Sequence, residues 1–84
     1  MNWKRYAKKG DIGMKFLDWE FEVAEGLKPY IDNKNKRMVL LTKEDDEIHI
    51  ALEIDENNHL VMHPRWNINI IIIGDKHLKF TTNS

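Results

Sequence analysis

The chain has 84 residues, no cysteine, 42% hydrophobic residues and a net charge of −1. That length allows one small domain on one apolar core, and the missing cysteines exclude a disulfide framework and a thiolate metal site. No wholly apolar run exceeds the four residues of 70–73, far below the ~18 needed to span a bilayer, and no apolar run follows the early charges as a signal peptide requires. The expectation is therefore a cytoplasmic protein with no membrane partner.

Residues 2–10 can form a two-turn helix, with Asn2 as N-cap, Trp3, Tyr6 and Ala7 on one face, and Gly10 ending it. So short a helix needs a docking surface for its aromatics; the alternative is an irregular arm anchored by Trp3. Residues 14–24 are ambiguous between strand and helix. Asp18-Trp19-Glu20-Phe21-Glu22-Val23 alternates without a fault, so as a strand it buries Trp19, Phe21 and Val23 and exposes three carboxylates. A helix would leave Glu20 inside the apolar face, and the residues are β-formers, so strand is preferred. Gly26 and Pro29 then break the chain, leaving Tyr30-Ile31 as a short edge segment. Residues 32–36 form a polar turn, 37–42 a short apolar strand, and 43–47 an acidic turn.

Residues 48–63 carry the clearest pattern. Ile48, Ile50, Leu52 and Ile54 fall on every second position, four turn formers follow, and Leu60 and Met62 resume the alternation. This predicts a hairpin with one buried face and Asn58 in the left-handed position of the loop. The register sets Ile54 opposite Leu60, Leu52 opposite Met62 and Glu53 beside Val61. A one-residue slip would expose half of these apolar groups. Pro64 suits the end of a strand. Residues 67–73 read as a strand apolar on both faces, as a central strand or closed barrel requires. Gly74-Asp75 reads as a two-residue turn, and residues 77–81 return with Leu78 and Phe80 on one face.

Connections this short imply sequential antiparallel strands. The fold class is therefore mainly β, either all-β or β-rich α+β: a small antiparallel meander of five to seven strands, barrel-like or curled, with a short N-terminal helix. Residues 1–84 form one domain, 1–12 being a basic arm or short helix and 14–82 the sheet.

Three groups of residues bear on function. The first is acidic: Asp18, Glu20 and Glu22 along one strand face, and Glu44, Asp45, Asp46 and Glu47 in one turn. Such a surface suits docking to a basic protein, and the turn lacks the spacing of a calcium loop. The second is basic and aromatic. Residues 1–15 hold five Lys or Arg against Asp11, a net charge of +4, whereas residues 16–84 sum to −5. Trp3, Lys4, Arg5, Tyr6, Lys8 and Lys9, joined by Arg65 and Trp66, offer the cations and rings that single-stranded nucleic acid needs. The third is His49, His59 and His63, which the hairpin register turns outward, with His59 beside Asp55. They are weak candidates for a zinc or nickel site because no metal-binding spacing is present, so no metal or cofactor is assigned.

No nucleophile with an assignable base and no phosphate-binding loop is present, so the expected class is non-enzymatic. The favoured reading is a small interaction protein that binds another, basic protein through its acidic or aromatic β surface. A Lys-, Ile- and Asn-rich chain of this size suits a phage- or bacterium-encoded inhibitor of a host factor. The alternatives are a nucleic-acid-binding barrel that uses the arm, and capture of a small ligand or nucleotide at an oligomer interface lined by Arg65, Trp66 and the histidines. A homodimer through exposed edge strands is a further expectation.

Overall fold

The computed structural model describes residues 11–65 and 67–82. Among them there is no helix. Eight strands follow in order: β1 (Ile12–Phe16), β2 (Trp19–Val23), β3 (Leu27–Asp32), β4 (Arg37–Thr42), β5 (Ile48–Ile54), β6 (Leu60–Pro64), β7 (Asn69–Gly74) and β8 (His77–Thr81). The mainly β class holds. The strands number eight rather than five to seven, and they form two four-stranded sheets that do not close into a barrel, in the orders β1-β2-β8-β7 and β3-β4-β5-β6. The short helix expected over 2–10 lies outside the described residues. Five of the six pairings join consecutive strands antiparallel; the sixth, β2 with β8, is parallel and non-sequential, which a simple meander does not contain.

Residues 14–24 contain two strands, not one element. Leu17 and Asp18 turn the chain so that Phe16 pairs with Trp19. Leu17 takes φ 54°, a left-handed conformation that costs an ordinary L residue about 1–2 kcal/mol. Leucine carries no turn signal, so the hairpin cannot be seen from composition. Within it, Trp19, Phe21 and Val23 face the core as the alternation predicts. Gly26 takes φ 99°, and nothing lies within 4 Å of the place a Cβ would occupy, so backbone conformation alone favours glycine there. The segment β3 is six residues long and keeps Pro29 inside it, which an edge strand tolerates.

The β5–β6 hairpin has the expected register, with Ile54 opposite Leu60, Leu52 opposite Met62 and Glu53 opposite Val61. Asn58 is left-handed at φ 63°. One Asp55 carboxylate oxygen accepts the N–H groups of both Asn57 and His59 at 2.9 Å, and the Asp55 carbonyl accepts that of Asn58 at 3.0 Å. The loop is thus built on a single aspartate.

Strand β7 is at an edge, not in the centre or in a closed barrel. Its turn is also one residue later than the sequence suggests. Gly74 pairs with His77, the loop is Asp75-Lys76 with Lys76 at φ 52°, and the register shifts between Ile72 and Gly74.

One core joins the sheets. Phe16, Phe21, Val23, Leu78 and Phe80 come from the first, and Leu27, Met38, Leu40, Ile50, Leu52 and Ile54 from the second. Phe21 and Phe80 meet edge-on, with centroids 5.0 Å apart. Phe80→Ala is predicted to remove about 3–5 kcal/mol, most of the stability of a domain this small, read as the drop in urea midpoint. Leu17→Gly is predicted to raise stability by up to about 1 kcal/mol in the same experiment, since glycine adopts the turn conformation without the steric cost.

Candidate functional site

The two sheets part along one side, where β6 ends one sheet and β7 the other. A cleft of about 610 Å³ opens there. Leu60 and Met62 line one wall, Ile70 and Ile72 the other, with Trp19 and Leu78 also lining it. Asn58, His59, Asp75 and Lys76 also border the cleft and supply its polar groups. Ile72 pairs with Leu78 and so lies on the inner face of its strand, yet it is 79% exposed, because no strand among the described residues lies beyond β6 to cover it. Leu60, Ile70 and Trp19 pack against the core from the same side. An apolar concavity with a few polar groups is the usual form of a binding site.

The acidic residues do not form one surface. Asp18 precedes β2, whereas the turn after β4 lies at its far end, where the Lys43 N–H donates to the Gly26 carbonyl at 3.0 Å. Five residues of strand, roughly 16 Å, therefore separate Asp18 from Glu44, Asp45, Asp46 and Glu47. Asp18 is 3.9 Å from Lys76, and Glu20 is exposed, as the alternation predicts, opposite His77. In the turn, the Thr42 hydroxyl donates to Asp45, and Asp46 pairs with Lys28. The Asp46 hydrogen bond holds the Lys28 ammonium above its usual value. A raised cation favours the folded form below its unfolded value, so this tie persists through neutral pH and is lost as pH rises past the raised value.

Glu22 corrects the sequence reading most sharply. It alternates outward as expected but is fully buried, not exposed. Its Oε1 is 3.2 Å from Lys79 Nζ, which is also 3.5 Å from Asp11 Oδ2. All three side chains are at most a tenth exposed. Glu22 and Lys79 are direct neighbours across the parallel β2–β8 ladder, so the ion pair follows from the register. Lys79 and Asp11 do not stand out in the sequence; the signal for them is an outward Glu on one strand and an outward Lys on another.

The histidines are separated by their partners. His63 sits two pairs from Glu53 on the same face of the hairpin, with Nε2 3.1 Å from Oε1, and His59 Nδ1 lies 3.9 Å from Asp55. His49 does not point into solvent. The β4–β5 register jumps from Leu40–Ile50 to Leu41–Ile48, so His49 is the extra residue of a bulge and is 1% exposed. Bulges re-aim a side chain. Here Nδ1 lies 3.3 Å from the Asn67 carbonyl, and the His49 carbonyl accepts the Arg65 N–H at 2.8 Å. Among the described residues no three His, Asp or Glu side chains gather as metal ligands would.

Of the basic group, Arg65 is exposed; Trp3, Lys4, Arg5, Tyr6, Lys8, Lys9 and Trp66 lie outside the described residues. No helix among the described residues is long and apolar enough to cross a membrane. The composition of the strand marks Ile70 and Ile72 as interior and hides the cleft, whose trace in the sequence is an uncharged run ending at a glycine.

Lys79→Met is predicted to destabilise the fold by about 3–5 kcal/mol, because it leaves the Glu22 carboxylate buried beside no cation from β8. The drop in urea midpoint relative to the parent protein checks it. No protein-family model, curated protein or solved structure matches the chain, so its function is read from this geometry.

Proposed function

We propose that this protein is a non-catalytic interaction module that binds another protein by taking an extended, apolar segment of it along β7, with alternate side chains entering the cleft. The observation that carries this is Ile72, 79% exposed on the inner face of an edge strand beside an apolar cleft of about 610 Å³. An edge strand offers unpaired N–H and C=O groups that an extended partner can meet, and a side-chain pocket next to it supplies selectivity. Occupying such a segment would block its other uses, so inhibition of the partner follows from the same contact.

The acidic surface supports this role less well. Glu22 is sealed against Lys79, Asp18 and Glu20 stand a strand length from the 44–47 turn, and Asp46 is already paired with Lys28. Partner selection therefore rests on apolar shape and backbone pairing more than on positive charge.

The test is selection of binders from a random decapeptide library, followed by amide exchange on the complex. The expected result is slowed exchange across 69–74 and at Leu60 and Met62, with Ile72→Lys weakening binding at least about tenfold, that is by ~1.4 kcal/mol. Asp45→Asn should leave affinity within a factor of about two, as a rim charge does. Binders that protect 43–47 and ignore Ile72→Lys would return the site to the acidic turn.

A further inference from the structure

We infer that a second copy of this chain occupies the same edge, through antiparallel pairing of β7 with β7 about a two-fold axis at Ile71. The inference rests on the reading of β7 as a strand-accepting edge and names an occupant that is always available to it.

Among the described residues the sheets have four edge strands, and three carry features that discourage pairing. β1 contains Lys15, β3 contains Lys28, Pro29 and Asp32, and β6 ends in His63 and Pro64. Charges and prolines at edges are how small β proteins avoid joining one another. β7, Asn-Ile-Ile-Ile-Ile-Gly, has neither. Its register shift lies between Ile72 and Gly74 and leaves residues 69–72 in a regular ladder with β8. Ile72 (79%) is the most exposed large apolar residue among those described, with Ile71 beside it at 46%; the exposed Tyr30 (56%) and Ile31 (40%) of β3 lie between Pro29 and Asp32, which guard that edge.

A two-fold axis restricts the register. Residues opposite one another in an antiparallel pair share a face, so the axis must pass through a residue facing its own copy. Centring on Ile71 sets Ile70 opposite the second copy's Ile72 twice on the inner face, and Asn69 opposite Ile73 on the outer face. Every β-branched residue then meets another apolar group or the Asn69 amide, and no charge is brought into the seam. Branched cross-strand pairs are favourable in sheets. The two clefts come to lie side by side, each receiving the other copy's Ile72 along its border, and the first sheet becomes eight strands across two chains. An uncharged strand selects an uncharged partner strand, which is why the second copy is favoured over a basic protein.

The absence of cysteine from the chain makes the register directly readable. Ile71→Cys places two thiols on directly opposite positions, with Cα atoms about 4.5–5.5 Å apart, inside the range a disulfide spans. Ile72→Cys instead sets each thiol two residues off its copy, roughly 8 Å apart and beyond that range. The full chain is studied by sedimentation equilibrium from about 10 to about 500 µM, a range that brackets an interface of modest affinity, and both cysteine variants are then oxidised at the higher concentration. The expected result is a concentration-dependent dimer, rapid cross-linking of Ile71→Cys, at least tenfold slower cross-linking of Ile72→Cys, and a monomer for Ile71→Lys with unchanged circular dichroism. A monomer throughout overturns the inference while leaving peptide binding at β7 standing. A dimer in which Ile71→Cys does not cross-link overturns it too, because the copies then meet elsewhere. Peptide binding lost together with dimerisation in Ile72→Lys, but with dimerisation intact in Ile71→Lys, overturns the proposed register and keeps the site.

Discussion

The pairing of Glu22 with Lys79 is the constraint on which this architecture turns. It sits on the one strand pairing among the described residues that sequence order does not supply, the parallel ladder between β2 and β8. Burying two charges costs several kcal/mol each unless they meet in good geometry, so a register that separated them would be strongly disfavoured. The apolar residues of the same strands agree with it: Phe21 lies beside Leu78 and Val23 beside Phe80 on the inner face while Glu22 lies beside Lys79 on the outer. A slip of one residue would set Lys79 into the aromatic core and Phe80 among the charges. Two independent patterns, apolar and ionic, thus select one alignment.

That alignment decides what remains open. Because β8 lies between β2 and β7, the strand richest in isoleucine is pushed to the margin of its sheet. The path that brings it there is held at the His49 bulge, whose carbonyl and ring both engage the crossing segment at Arg65 and Asn67. The chain leaves β6 and enters β7 through this point, so the two strands that border the cleft are linked directly to it. Among the described residues no strand beyond β6 covers Ile72, a consequence of topology and not of a local irregularity.

The sequence discloses this molecule unevenly, and the reasons are physical. The β5–β6 hairpin is fully legible, because alternation and a four-residue polar loop specify both register and the left-handed Asn58. The β1–β2 hairpin is not, because its turn uses Leu17 in a conformation that its side chain opposes, and only tertiary contacts make that worthwhile. The parallel pairing is invisible to any reading that assumes neighbours in sequence are neighbours in space. Burial of Glu22 and His49 fails for related reasons: alternation tells which side a residue faces but not what covers that side. Residues 70–73 are legible as apolar and illegible as an edge, since an unguarded margin and a buried central strand have the same composition.

The association proposed at β7 would be reversible on energetic grounds. Covering one exposed isoleucine contributes roughly 1.5–3 kcal/mol, and each backbone hydrogen bond along an added strand contributes about 0.5–1.5 kcal/mol. Two or three such side chains and four or five such bonds give a gross gain on the order of 10 kcal/mol, against about 4–15 kcal/mol for lost freedom on association. The surplus is small, so β7 alone supports weak pairing and tight binding requires the cleft wall of Leu60 and Met62 to be covered as well. A partner segment that fills the cleft therefore outcompetes one that only extends the sheet. In the proposed dimer a copy of this chain would do mainly the second, through Ile70, Ile71 and Ile72, and would be a cover that a better-shaped strand could displace.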